Sequence, residues 1–155
     1  MRRAAWLVGA VLLLVTSACG RRYEAAAAPG FVKLEQSQEP YAWRAVAPDG
    51  VAVAVRVVRL EDRGDLSFWA HAVTLRMRDM DGYALVDTRD VKSRDGTEGK
   101  ELTFGHDEDG KPFVYRVRLY LGRDRLFVVE AGGAKDQMDR YAASVEWMMA
   151  TVKLT

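Results

Sequence analysis

The sequence predicts one α+β domain in which an antiparallel sheet of about six strands packs against two helices. Three observations support this fold class. Two β-rich runs joined by a tight turn come first, four more β-rich runs separated by glycine-containing turns follow, and two stretches with helical spacing lie between and after them. Short turns can join antiparallel neighbours but not parallel ones, so we expect a hairpin, a helix, a four-stranded meander and a C-terminal helix.

The hairpin is predicted from the runs at residues 41–47 and 51–60, which Pro48-Asp49-Gly50 separates. Proline presets φ for a turn, and glycine adopts positive φ without strain. Both faces of the second run are largely apolar, which is typical of a central strand covered on both sides. Residues 31–34 indicate a further, short strand before the hairpin.

The first helix is predicted from an N-cap signal at Asp65 and a stop signal at Gly82. Apolar residues between them recur at helical spacing: Leu66, Trp69, Ala72, Val73, Met77 and Met80.

Four strands and a final helix complete the domain. We expect strands at residues 83–91, 97–106, 112–121 and 125–131, because Asp95-Gly96 and Asp109-Gly110 are typical hairpin turns. Residues 136–150 are predicted to form one amphipathic helix, whose apolar positions are Met138, Tyr141, Ala142, Val145, Met148 and Met149, with Val152 continuing the stripe.

The N-terminus has the organisation of an export signal. Arg2 and Arg3 precede an apolar run at residues 4–15, which is too short to span a bilayer, and small residues lead to Cys19. The ending Thr16-Ser17-Ala18-Cys19 resembles the lipobox of bacterial lipoproteins. That resemblance implies Sec export, cleavage before Cys19 and acylation of its thiol; the alternative is an ordinary cleavage site. Gly20 after the cysteine resembles the pattern sent to the periplasmic side of the outer membrane in Gram-negative bacteria.

These observations divide the chain into a signal peptide at 1–18, a lipidated tether at 19–30 and the α+β domain at 31–155. The order of elements in the domain resembles the PsbP-like fold, that of the extrinsic PsbP subunit of photosystem II and of many small bacterial lipoproteins. Members are mostly binding or assembly factors without catalysis of their own. The resemblance implies a non-catalytic accessory module of the cell envelope, with the lipid bilayer and an unidentified envelope protein as partners.

Composition excludes several other classes of function. Removal of residues 1–18 takes two of the 23 basic residues and none of the 22 acidic ones, so the mature chain has a net charge of about −1. Nucleic-acid binding proteins normally carry a basic patch, so we expect no nucleic-acid partner. Acylation of Cys19 would leave no thiol for a disulfide or a cysteine metal site, and His71 and His106 lack metal-ligand spacing. We expect no metal and no cofactor.

Candidate catalytic residues are not evident, because no serine lies in a G-x-S-x-G elbow and no P-loop or dinucleotide motif is present. We therefore expect no enzyme activity. Alternating strand positions place Arg116, Arg118 and Tyr120 on one face, with Arg56 near them if the strands are neighbours. Two interpretations are open: a surface ladder of cross-strand charges, with Glu101 on the preceding strand, or a site for an anionic ligand or partner. The second interpretation would suit a carrier with a pocket between sheet and helix.

Overall fold

The computed structural model describes residues 23–35, 39–61 and 64–154. The predicted signal peptide and the predicted lipid-attachment residue, Cys19, lie outside the described residues. Among the described helices, none combines the length and the apolar character needed to cross a membrane.

The main sheet has seven antiparallel strands in the order β2-β3-β4-β8-β7-β6-β5. Their bounds are β2 Val32–Lys33, β3 Trp43–Val46, β4 Ala52–Arg59, β5 Ala84–Lys92, β6 Glu98–Glu108, β7 Lys111–Leu121 and β8 Arg125–Ala134. This confirms the α+β fold class, the hairpin β3–β4 and the meander β5–β8. The sheet gains its seventh strand because the short segment β2 pairs with β3.

One face of the sheet is covered by helix α1, Leu66–Asp81, which is the first predicted helix. The Asp65 side chain accepts a hydrogen bond of 2.7 Å from the Phe68 backbone N–H, and Gly82 ends the helix at φ 69°. The helix packs over β5, β6 and β7. We call this side of the sheet the α1 face; its apolar cluster is centred on Ala70, Leu102, Phe104, Val117, Leu119, Leu126 and Val128.

The opposite face, which we call the α3 face, is covered by two short helices. The predicted helix at 136–150 is divided into α2, Lys135–Arg140, and α3, Ala142–Ala150. Tyr141 lies at the break with φ −95° and ψ 11°, outside helical geometry, and its ring packs edge-on against Phe31. The larger apolar cluster lies beneath α2 and α3 and includes Val53, Val55, Val129, Val145, Met148 and Met149.

A second, two-stranded sheet joins the two ends of the domain. Strand β1, Tyr23–Glu24, pairs with β9, Lys153–Leu154, and the Lys153 ammonium lies 3.2 Å from the Glu24 carboxylate. Ala28 is buried in the larger cluster. The second part of the predicted tether therefore differs from an open spacer, since from Tyr23 onward the chain packs on the domain.

Candidate functional site

A cluster of charged side chains occupies the α3 face at the point where β5, β6 and β7 are neighbours. The strand register places Glu101 of β6 directly opposite Arg118 of β7 on one side and Arg89 of β5 on the other. Arg116 lies two residues before Arg118, so the pleat places it on the same face. Three arginines therefore surround one glutamate because of strand register alone.

Glu101 is the centre of this cluster and is 2 % exposed. Its carboxylate accepts hydrogen bonds from Arg118 Nε, from Arg89 Nε at 3.0 Å and from Arg116 Nη2 at 2.9 and 3.0 Å. Helix α3 supplies a second carboxylate, Glu146, which accepts from Arg116 Nη2 and Arg118 Nη2, each at 2.6 Å. We call these five residues the Glu101 cluster.

The electrostatics of the Glu101 cluster favour the charged forms of Glu146 and Arg118. Burial opposes ionisation of Glu146, but hydrogen bonds from Arg116 and Arg118 outweigh it and lower the pKa of Glu146 to about 2. Burial likewise disfavours the charge on Arg118, yet its bonds to Glu146 and Glu101 raise the pKa of that guanidinium. The arginines on this face are cross-strand neighbours of Glu101, as the charge-ladder interpretation describes. The centre of the ladder, however, is buried, since Glu101 and Arg118 are each 2 % exposed, whereas the Arg89 side chain at its edge is 50 % exposed.

Tyr120 shares this face but belongs to the apolar core. Its side chain is 0 % exposed, and burial raises the pKa of the hydroxyl despite the nearby charge of Arg118. Within the described ranges this hydroxyl has no hydrogen bond of acceptable geometry. Tyr120 is therefore not accessible to a ligand unless the helices above it move.

Arg56 lies on the other face of the sheet, so its predicted grouping with Arg116 and Arg118 is wrong. Strand β8 lies between β4 and β7. Arg56 is paired with Val128 of β8, whereas Arg118 is paired with Val129, and consecutive residues of a strand point to opposite faces of the sheet. Arg56 instead pairs with Glu130 of β8, with Nε and Nη2 at 3.1 and 2.6 Å from the carboxylate.

The Arg56–Glu130 pair lies at the floor of a groove on the α1 face. Helix α1 packs mainly on β5, β6 and β7, and Val58 of β4 stays 41 % exposed beside it. The groove has a volume of about 430 Å³. We call it the α1 groove; its lining is Tyr41, Arg56, Val58, Trp69, Ala72, Val73, Arg76, Met77, Asp81, Tyr115, Val117, Leu126, Val128 and Glu130. A largely apolar lining with a few charged groups, here the Arg56–Glu130 pair with Arg76 and Asp81, is typical of small-molecule sites.

Tyr115 extends the polar floor of the α1 groove. Burial, and then the adjacent Glu130 carboxylate, raise the pKa of the Tyr115 phenol, so it stays protonated and can donate a hydrogen bond. Glu130 is only 4 % exposed, whereas the Arg56 side chain is 33 % exposed. A molecule in the groove would therefore meet the guanidinium before the carboxylate.

The two histidines are placed apart from each other. His71 is exposed on α1, while His106 stacks on Tyr83 with ring centroids 4.9 Å apart and has Nδ1 3.0 Å from the Gly82 carbonyl oxygen. In the part of the chain that the structure describes, no three His, Cys, Asp or Glu side chains come together as a potential metal site.

Sequence reasoning missed four charged or polar residues of these two sites: Arg89, Glu146, Glu130 and Tyr115. A signal existed for two of them. Glu146 is the one charged residue in the otherwise apolar or small stretch of α3, and Glu130 interrupts the apolar run of β8. A lone carboxylate in a buried element needs a basic partner, and the arginines of the neighbouring strands are the available ones.

Comparison with known proteins supports the fold. No protein-family model and no curated protein matches the sequence significantly. Among solved structures, LpqN of Mycobacterium tuberculosis, described as involved in cell envelope biogenesis, is similar with a TM-score of 0.67 and 12 % identity, over 86 % of this chain and 83 % of LpqN. Cyanobacterial PsbP (CyanoP) from Synechocystis has a TM-score of 0.59 at 12 % identity, over 86 % of this chain and 87 % of CyanoP.

A third solved structure with the same fold is the Ran-binding protein Mog1p of Saccharomyces cerevisiae. Its TM-score is 0.58 at 12 % identity, over 86 % of this chain and 90 % of Mog1p. These likenesses confirm the PsbP-like fold predicted from the order of elements. At this identity they show the fold alone.

Proposed function

We propose that this protein is a membrane-anchored lipoprotein that acts as a non-catalytic accessory, assembly or binding module of the bacterial cell envelope. The observation that carries the proposal is the PsbP-like fold, shared with LpqN, which is involved in cell envelope biogenesis, directly after a sequence that resembles a lipobox. The Glu101 cluster agrees with a scaffold role, since its arginines and glutamates bind one another.

The anchor depends on Cys19. A single acyl chain binds a membrane only marginally, whereas two or three chains hold a protein there stably. Cells that express the full chain should incorporate radiolabelled palmitate into it and retain it in the membrane fraction. Cys19→Ala should lose both, while Ser17→Ala, which keeps the cysteine, should keep both. Equal labelling of the Cys19→Ala variant would contradict the anchor.

The accessory role requires an envelope partner. Cross-linking in intact cells followed by affinity capture from detergent-solubilised membranes should recover the same envelope protein repeatedly with the lipidated chain. The Cys19→Ala variant should recover much less of that protein, because it lacks the local concentration that the membrane provides. If no protein is enriched reproducibly, the assembly role is wrong even where the anchor is correct.

A second candidate function is the carriage of a small amphipathic ligand, and the α1 groove favours it. The original expectation of an anionic ligand weakens here because Glu130 already neutralises Arg56. The apolar walls suit a hydrocarbon body, and the partly exposed Arg56 guanidinium suits a neutral hydrogen-bond acceptor.

Native mass spectrometry of gently extracted protein tests the carrier function. A co-purified mass should disappear in Val58→Arg, which places a charge on the apolar wall of the groove where Val58 is 41 % exposed. Val32→Arg is the matched control, because Val32 is an exposed strand valine outside the groove. A chain that is always free of ligand, or a ligand that both variants retain, would exclude carriage in this groove.

A further inference from the structure

The attachment point of the domain lies very close to the predicted acylation site. Only Gly20, Arg21 and Arg22 separate Cys19 from Tyr23, the first residue of β1. Four residue steps reach at most about 14 Å, even when fully extended. If Cys19 carries the lipid, as in the function proposed above, β1 must lie within that distance of the bilayer surface.

Strand β1 also identifies which end of the domain is held there. It pairs with β9, and β9 is bonded to the β5–β6 turn at residues 93–97: the Leu154 N–H donates to Asp95 Oδ1 at 2.9 Å, and the Arg94 N–H donates to the Val152 carbonyl at 3.0 Å. Leu154 also lines one depression together with the β7–β8 turn at residues 122–124. We call the β1–β9 pair and these two turns the anchor end.

Each turn of the anchor end presents an exposed arginine. Arg94 and Arg123 are both exposed, and neither has an ion pair among the residues that the structure describes. By contrast, Arg125 beside them pairs with Asp124 at 2.8 Å, and Asp95 is engaged by Ser93, Thr97 and the Leu154 backbone. Arg94 and Arg123 are therefore exposed guanidinium groups without a carboxylate partner among the described residues, whereas the exposed Glu98 carboxylate at this end lies 3.7 Å from the Lys92 ammonium.

The opposite end of the sheet exposes a cluster of carboxylates. The β6–β7 turn there exposes Asp107, Glu108 and Asp109. Ten residue steps along β6 lead from Glu98 at the anchor end to Glu108, a length of about 33 Å at the usual strand rise. An anionic membrane surface attracts arginine and repels these carboxylates. The charges therefore favour the same orientation as the short connection between Cys19 and β1, with the anchor end at the bilayer.

We propose that the anchor end is a lipid-contact surface on which Arg94 and Arg123 bind anionic headgroups, with the acidic β6–β7 turn directed away from the bilayer. Arginine suits this role because its planar guanidinium binds phosphate through two parallel hydrogen bonds. The domain is then held in one orientation instead of rotating about its lipid. The α1 groove and the edge strand β5 remain accessible at the side of the domain.

Fluorescence quenching of the lipidated full chain tests this orientation. Cys19 is the only cysteine, so acylation leaves an introduced thiol as the only labelling position. A fluorophore is placed through Glu98→Cys at the anchor end or through Lys111→Cys beside the acidic turn. The protein is reconstituted in vesicles of phosphatidylcholine and phosphatidylglycerol that contain headgroup-nitroxide lipid. We expect several-fold stronger quenching at position 98 than at position 111.

The arginine contacts are tested in the Glu98→Cys background. Arg94→Gln with Arg123→Gln should reduce the quenching several-fold, and the reduction should be smaller in vesicles of phosphatidylcholine alone. Arg78→Gln with Arg140→Gln removes the same charge outside the anchor end and the α1 groove and should leave the quenching unchanged.

The outcomes separate this inference from the lipid anchor itself. A chain that does not float with vesicles contradicts the anchor and, with it, this orientation. A chain that floats but is quenched equally at positions 98 and 111 contradicts the orientation alone. Position-dependent quenching that the two arginine substitutions do not change contradicts the headgroup contacts.

Discussion

The two faces of the sheet each bury a glutamate beside arginine, but they do so differently. On the α3 face, Glu101 is bound by three arginines, and α3 closes the cluster with Glu146. On the α1 face, Glu130 is bound by Arg56 at the floor of a groove that α1 lines on one side. Arg118 is therefore buried beneath a carboxylate from α3, whereas Arg56 keeps a partly exposed side chain in the α1 groove.

The largest loss of stability is expected on the α3 face. Glu101→Gln keeps the shape of the side chain but leaves Arg118, which is 2 % exposed, with Glu146 as its remaining carboxylate. Removing one partner of a buried ion pair typically destabilises a protein by about 3–5 kcal/mol. Denaturant unfolding should show a loss of this size. Glu98→Gln, on the same strand but 83 % exposed, should stay within about 0.5 kcal/mol of the wild type. Equal losses in the two variants would mean that the cluster is not structural.

Breaking the ion pair on the α1 face should destabilise the protein less. Arg56→Met leaves Glu130 without its arginine, but water in the groove and the Tyr115 hydroxyl can solvate the carboxylate in part. We expect a loss of about 1–3 kcal/mol in the free energy of unfolding, below that of Glu101→Gln. A loss as large as that of Glu101→Gln would show that the groove is closed to solvent and would remove the contrast between the faces.

Acid should destabilise the protein through protonation of Glu146 on the α3 face. Its pKa in the folded protein is about 2, below the ordinary value of 4.5, so its contribution is complete above about pH 4.5 and is lost as the pH falls towards 2. Because Glu146 is half-exposed, solvent screening reduces that contribution to about 1–2 kcal/mol. The slope of unfolding free energy against pH in this window should be shallower in Glu146→Gln, and Glu108→Gln, in the exposed acidic turn, is the control. An unchanged slope in Glu146→Gln would place the acid sensitivity elsewhere.

Most of the fold was predictable because local signals determine it. Asp109-Gly110 forms a two-residue turn, and that turn alone pairs Glu108 with Lys111 and, further along the strands, Glu101 with Arg118. Asp65 and Gly82 likewise bound α1 as predicted. Strand β1 and the break at Tyr141 were not predictable, because a two-residue strand and a single non-helical residue depend on distant partners, here β9 and Phe31.

The candidate sites were less predictable because they depend on which face each strand presents and on which strands are neighbours. Arg56 and Arg118 carry the same chemistry in similar apolar strands. Only the insertion of β8 between β4 and β7, and the pleat that follows from its register, places them on opposite faces. The position of Glu146 above the cluster depends on how α3 crosses the sheet, which no local pattern specifies.

The smallest expected loss of stability concerns the N-cap of helix α1. Asp65→Ala removes the acceptor of the Phe68 N–H at the start of α1, for which we expect a loss of about 0.5–1 kcal/mol in unfolding free energy. The change should also speed amide hydrogen exchange in the first turn of α1 while leaving α3 and the Glu101 cluster unchanged, because the two helices pack on opposite faces. Asp65→Asn keeps a capping oxygen and should behave like the wild type. Faster exchange in both helices would show that the two faces are coupled through the sheet. A ligand that changed the packing of the α1 face would then also loosen the α3 face.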